Sequence, residues 1–271
     1  MITSLQNPKV KQVVKLRDRR DRDKSNQFLI EGYRELLRAV DSGHPVDTLF
    51  ICEELFLGEN EPALISRIQK RGAQIFPTTE DVFKKISYRD RPDGLLAIAP
   101  QLHPTLEEFA KSIEGNQNPF LVIAESIEKP GNLGTILRSS DAVGVDGVII
   151  SDRCTDLHNP NVVRASVGTL FTIPVIEAEG KKLIEWIKSR GIKVLAATPS
   201  AEANYTDIDL TGPLAIAVGT EQLGLSDLWM EEADLQVKIP MMGVADSLNV
   251  AMATTVLLYE ALRQRTAKQV G

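Results

Sequence analysis

"IPMMGVADSLNVAMATTVLLYE" occupies residues 239–260. Its first residues close "LQVKIP" (235–240), an apolar segment that reads as a strand stopped at Pro240. Two methionines and a glycine follow. Ser247, Leu248 and Asn249 then open a helix expected over 247–264. Val250, Ala253, Leu257 and Ala261 fall on one helical face, and Leu248, Ala251, Leu258 and Leu262 on another. A helix that is apolar round most of its circumference is a buried helix. Small polar residues at its head need a reason: an ordinary N-cap accounts for Ser247 but leaves Asn249 unexplained.

Upstream of this stretch the chain alternates short apolar runs with helical patterns. "FLVIAES" (120–126), "DGVIIS" (146–151), "TIPVIE" (172–177), "IKVLAAT" (192–198) and "PLAIAVG" (213–219) read as strands. Helices are expected near 132–143, 160–170, 180–190 and 225–231. Val- and Ile-rich strands separated by helices indicate a parallel sheet covered on both faces, an α/β domain over 119–271. The first hundred residues alternate in the same way on a smaller scale, giving a second α/β unit over 1–100. Between them, 101–118 is rich in Pro, Gly and Asn and reads as a linker.

The length of 271 residues suits two such units, and 43% hydrophobic with 25% charged residues is an ordinary globular composition. Cys52 and Cys154 match no metal or redox spacing, and His44, His103 and His158 form no pair at ligand spacing. No metal site or disulfide framework is expected, and a reducing cytoplasm is. The opening residues lack the apolar core of a signal peptide. No apolar run approaches the roughly 18 residues that span a bilayer.

Charge is unevenly spread. Residues 1–38 hold ten Lys/Arg and five acids, a local +5 inside a chain of net −6. Lys9, Lys11, Lys15, Arg17, Arg19 and Arg20 form a candidate nucleic-acid contact surface. A solvated helix of alternating charges, "RDRRDRDK", is the plainer reading of the same residues. "KKISYRDR" (84–91) adds a small basic patch with an aromatic, Tyr88, the mixture that suits unpaired RNA bases.

Ligands of open parallel sheets bind at the carboxyl ends of the strands. Three such ends carry unusual loops. After "AES", Asn132, Gly134 and Arg138 lie at a helix start, where Asn132 can act as a cap. Gly219 ends a strand, with Glu221 and Gly224 following. The third is the opening stretch. The chain has no G-x-G, no G-K-[ST] and no G-x-S-x-G, so dinucleotide, P-loop and hydrolase-elbow chemistry are not indicated.

N-x-G-x-x-x-R (Asn132, Gly134, Arg138), G-x-E-x-x-G-L (Gly219, Glu221, Gly224, Leu225) and I-P-M-x-G…S-L-N-V (239–250) together resemble the three motifs of the SpoU, or TrmH, family of RNA ribose 2′-O-methyltransferases. One departure is "VAMATT" after Ser-Leu-Asn, which keeps small size. The first hundred residues resemble, more loosely, the ribosomal-protein-like substrate-binding domain of that family.

The resemblance implies a C-terminal domain with a deep trefoil knot, which connection rules alone would exclude. It implies S-adenosylmethionine as cofactor, held by Thr198, Val218, Gly219, Glu221, Gly224, Ile239, Met241, Ser247 and Leu248, with Met241 and Met242 as an adaptable apolar wall. It implies a homodimer built through the 247–264 helix and an RNA substrate, ribosomal more than transfer RNA. Asn132, Arg138, Glu221, Ser247 and Asn249 become the catalytic set. A guanidinium stays protonated near neutral pH, so Arg138 is expected to bind RNA phosphate and steady developing alkoxide rather than take a proton. Glu221 would pair with Arg138 or fix its loop. A nonenzymatic RNA-binding protein on the same fold and an unrelated α/β nucleotide enzyme are the alternatives.

Overall fold

The computed structural model describes residues 1–152, 155–220 and 222–270, with residues 269 and 270 described by backbone alone. Glu221 and Cys154 lie outside the described residues. The chain forms two compact units. Unit 1 is Met1–Leu102 with Asp156–Thr172, and unit 2 is His103–Thr155 with Ile173–Gly271.

Unit 1 contains α1 (Pro8–Lys15), α2 (Arg19–Ser25), β1 (Gln27–Glu31), α3 (Tyr33–Asp41), β2 (Thr48–Ile51), α4 (Glu61–Lys70), β3 (Gln74–Pro77), α5 (Glu80–Ile86) and β4 (Leu95–Pro100). The strands form one sheet in the order β1-β4-β2-β3. β4 runs antiparallel to both neighbours, whereas β2 and β3 are parallel. Leu29, Phe50, Leu96 and Ile98 point into a core closed by Val10 and Val13 of α1 and by Val82, Phe83 and Ile86 of α5.

Unit 2 begins inside the expected linker. α6 (Leu106–Ser112) opens with a capping box in which Thr105 and Glu108 bond each other's backbone N–H. Its Phe109 and the following Ile113 are buried in the core of unit 2. The stretch 101–118 is therefore not a free linker, because an apolar face anchors it. The unit continues with β5 (Phe120–Glu125), α7 (Pro130–Val143) and β6 (Gly147–Ser151). The chain then enters unit 1 for α8 (Pro160–Ala165).

It returns as β7 (Val175–Ala178), α9 (Gly180–Ser189), β8 (Lys193–Ala197), β9 (Ala203–Asn204), β10 (Leu214–Val218), α10 (Asp227–Glu232), β11 (Leu235–Lys238) and α11 (Val250–Val270). Seven strands pair in the order β7-β6-β5-β10-β8-β11-β9, and every pairing is parallel. β5 and β10 are buried along their whole length, as strands covered on both faces must be.

The excursion of Asp156–Thr172 into unit 1 was not visible in the sequence. A buried ion pair holds it: Arg22 on α2 meets Asp156 at 2.5 Å, and the two side chains are 1% and 4% exposed. The other guanidinium nitrogen of Arg22 donates to the Leu16 and Arg17 carbonyls. The His158 ring lies 4.8 Å from that of Phe28, and its Nε2 accepts the Leu102 N–H. Arg22, one of the charges in "RDRRDRDK", is thus a core residue.

Candidate active site

Four adjacent strands, β5, β10, β8 and β11, end on the same sheet edge, and the three motif loops leave from it. The first turn is tight: Ser126 adopts φ 50°, rare for a residue with a side chain, and its hydroxyl donates to the Asp152 carbonyl. Glu125 just before it is buried, where Oε2 accepts the Ser226 N–H at the head of α10. This bond fixes the β5 end against the chain that follows the second motif.

That second loop closes on itself. Thr220 and Gly224 exchange both backbone hydrogen bonds at 3.0 Å, and the Leu223 N–H donates to Thr220 Oγ1. Gly224 turns the chain at φ 71°. The returning backbone lies on Gly219 so closely that an added Cβ would sit 2.1 Å from the Gly224 carbonyl oxygen. Only glycine fits there.

Beside this loop is a cavity of about 350 Å³. Thr198, Val218, Gly219 and Gly224 line one part of it, and Ile239, Met241, Ser247 and Leu248 another. These are all the expected cofactor positions except Glu221, which lies outside the described residues. Met242 is 95% exposed and is not part of the wall, contrary to expectation. Thr220, Gln222 and Asp246 line it as well and went unread in the sequence, although each sits inside a motif loop.

The head of α11 also differs from expectation. The helix starts at Val250, and Asn249, not Ser247, caps it: Asn249 Oδ1 accepts the Ala251 N–H at 3.1 Å. Asn249 Nδ2 donates to Asn132 Oδ1 at 3.2 Å. Asn132 lies inside the first turn of α7, whose N-cap is Lys129, so it does not cap that helix. The asparagines of the first and third motifs, far apart in sequence, thus touch. Asn132 lines a smaller cavity of about 140 Å³ together with Ile127, Lys129, Thr220 and Val250. Arg138 is exposed on α7, six residues or ~9 Å of helical rise beyond Asn132. α7 packs along α11, with Ser139 and Thr255 hydroxyls 2.7 Å apart.

α11 is not buried all round. Val250, Ala251, Leu257, Leu258 and Ala261 are covered, while Met252 and Tyr259 are 57% and 51% exposed. In unit 1, Lys11, Lys15, Arg19 and Arg20 are exposed. Arg17 is not available in the same way, because its guanidinium donates to the Lys85 and Ser87 carbonyls. Lys9 is half-buried over the Phe76 ring. Lys24, one of the ten basic residues of the opening segment but not in the expected contact set, joins Lys11 and Lys15 along a groove of about 510 Å³. Among the described residues no cluster of three or more His, Cys, Asp or Glu could hold a metal ion.

Residues 119–259 match the SpoU rRNA Methylase family, and residues 7–97 match the MRM3-like substrate binding domain. The 23S rRNA (guanosine(2553)-2′-O)-methyltransferase RlmP of Bacillus subtilis is 30% identical, over 95% of this chain and 97% of its own length. A crystal structure of an RNA 2′-O ribose methyltransferase shares 40% identity, covers 98% of this chain and 99% of its own, and superposes with a TM-score of 0.86. An AdoMet-bound rRNA methyltransferase from Sinorhizobium meliloti is 32% identical, with 97% of each chain covered and a TM-score of 0.87.

Proposed function

The chain belongs to the SpoU rRNA methylase family, and from that premise we propose that it transfers a methyl group from S-adenosylmethionine to a ribose 2′-hydroxyl of ribosomal RNA. The observation that carries this reading is one cavity walled by residues from the ends of β8, β10 and β11, with the Asn132–Asn249 pair close by.

The cavity fits the cofactor in size and chemistry. Its volume lies within the range of small-molecule sites. Val218, Ile239, Met241 and Leu248 offer apolar surface, and Thr198 and Ser247 offer hydroxyls. When bound, S-adenosylmethionine supplies an already activated methyl group. The chain's own task is to align a ribose hydroxyl and favour loss of its proton. Alignment alone is worth roughly 7–11 kcal/mol. Asn132 and Asn249, which hold each other, orient the hydroxyl. Arg138 binds the adjoining phosphate and steadies charge on the ribose oxygen. Ser247 completes the set, and Glu221 is assigned to the loop that carries it.

The active unit in this reading is a homodimer. Support comes from the exposed Met252 and Tyr259 on α11, a helix packed along the one that carries Arg138. The deep trefoil knot belongs to the same reading. It is supported by the place of β10, a late strand, between β5 and β8 in the middle of the sheet. Unit 1 docks RNA through Lys11, Lys15, Arg19, Arg20 and Lys24, with smaller parts for Lys9 and Arg17. A ribosomal substrate places the work in the cytoplasm. Among the described residues no helix is long and apolar enough to cross a membrane.

Calorimetry with S-adenosylmethionine tests the first step, and heat of binding is expected from the full chain. Folded protein that takes up none would remove the cavity from the account.

A further inference from the structure

Unit 1 contains a cavity of about 750 Å³ that methyl transfer does not use. It lies among the first turns of α3 and α4 and the residues before β4. Its charges sort by depth. Arg34, Arg91 and Arg164 are exposed, against a single exposed acid, Asp90. Glu35, Glu61 and Asp93 are buried, with Arg89 the cation among them. A cationic rim stands over an acidic floor.

The floor has unused hydrogen-bonding groups. Glu61 and Asp93 are 3% and 7% exposed. Glu61 Oε1 accepts the Gly58 N–H and Asp93 Oδ2 accepts the Tyr33 N–H, each at 2.9 Å. The second oxygens, Glu61 Oε2 and Asp93 Oδ1, have no partner, and neither has Arg89 Nε. Buried polar atoms without partners are uncommon and costly. Here three of them, two acceptors and one donor, belong to residues lining one cavity.

Ligand chemistry follows from the two layers. A metal ion would suit the acids but be repelled by the arginines. An acidic peptide would suit the arginines but meet three carboxylates. A nucleotide suits both, with phosphate at the rim and base below. The unused atoms choose the base. Guanine presents one acceptor, O6, beside two donors, N1–H and the 2-amino group, and so complements one donor and two acceptors. Leu57, 82% exposed, and Tyr33 supply surface against which a base can stack.

We propose that this cavity holds one unpaired guanosine of the RNA, its base edge read by Glu61, Asp93 and Arg89 and its phosphates held by Arg34, Arg91 and Arg164. The proposal rests on RNA being the substrate. It gives unit 1 base selectivity in addition to general phosphate affinity.

Fluorescence anisotropy on the full chain tests it, with labelled hexaribonucleotides U2GU3, U2IU3 and U6. The guanine hexamer is expected to bind about tenfold or more tighter than U6. Inosine, lacking the 2-amino group, should fall between them. Glu61→Gln and Asp93→Asn should erase the preference. Arg91→Ala and Arg164→Ala should weaken all three hexamers alike, each lowering the salt slope by ~0.7 per phosphate lost. Equal binding of U2GU3 and U6, or a preference that survives both acid substitutions, overturns the proposal. A second readout needs no variant: 6-thioguanosine in place of guanosine should photo-crosslink within residues 57–61 or 88–93, and crosslinks confined elsewhere also overturn it. Methyl transfer to ribosomal RNA, assayed on the same wild-type preparation, separates the two readings. Transfer without guanine preference refutes the cavity alone, whereas absence of transfer refutes the proposed function.

Discussion

Gly219 has no side chain because the Gly224 carbonyl occupies the place of one. Gly219→Ala must push the 220–224 loop outward and break its paired hydrogen bonds. S-adenosylmethionine affinity should fall about tenfold or more by calorimetry; an unchanged value would mean that the loop does not shape the cofactor site. Arg138→Ala should behave differently. It stands outside the cavity wall, so cofactor affinity should hold while single-turnover methylation drops ~10²–10³-fold. Arg138→Lys should rescue poorly, since an ammonium lacks the planar fork. A fully active alanine variant would move the active site elsewhere. Both residues are legible in the sequence as motif members, Gly219 at a strand end and Arg138 on the helix that follows one. Arg22 was not, because nothing in "RDRRDRDK" marks which arginine turns inward. Burial pushes the Asp156 carboxyl up, but the Arg22 guanidinium and the His158 N–H outweigh it and hold it below the usual range. The contribution of Asp156 to stability is therefore complete above its unfolded value near ~3.9 and is lost as pH falls through the folded value. Arg22→Met leaves the carboxylate buried without its guanidinium partner, with only His158 beside it, costing about 3–5 kcal/mol at pH 7. Urea midpoints should show the gap between variant and wild type narrowing from pH 7 to 4, as protonation relieves the stranded charge. Glu31 and Glu35, raised by burial, act in the opposite sense in both proteins and largely cancel in the comparison.

At the scale of elements, the strands were the most legible part. Doubly covered parallel strands read as unbroken apolar runs, and "FLVIAE", "GVIIS" and "LAIAV" became β5, β6 and β10. α6 was hidden by its Pro, Gly and Asn neighbours, even though Thr105 and Glu108 carry the spacing of a capping box. α11 reads as buried because it is apolar on two sides, and both are covered, at Val250, Leu257 and Ala261 and at Ala251 and Leu258, whereas Met252 and Tyr259 stand on a third, exposed side. The exposed side predicts a partner. Met252→Glu combined with Tyr259→Glu should shift sedimentation from dimer to monomer while the circular dichroism of the fold persists. A wild-type chain that sediments as a monomer at micromolar concentration would contradict the dimer directly.

At the scale of the molecule, the two units are not two consecutive segments. Asp156–Thr172 leaves the methylase portion of the chain and folds with unit 1, burying Val162, Val163 and Leu170. Local pattern cannot reveal this, because membership in a core depends on partners more than a hundred residues away. A chain cut at Asn118 would lose the cover of those side chains, so it should aggregate or melt well below the intact protein. Clean folding of that fragment would show that α8 needs no support from unit 1.

Ribose methylation of ribosomal RNA leaves a chemical signature that alkaline hydrolysis reads directly. The full chain is incubated with total ribosomal RNA and S-adenosylmethionine labelled in the methyl group, and the RNA is then hydrolysed in alkali. Alkaline cleavage needs a free 2′-hydroxyl, so a ribose methyl leaves its label in an alkali-resistant dinucleotide at a single sequence position. That is the expected result, with the label lost in Arg138→Ala. Label recovered in mononucleotides, which places the methyl on a base, or no label at all from folded, cofactor-binding protein, would contradict the account.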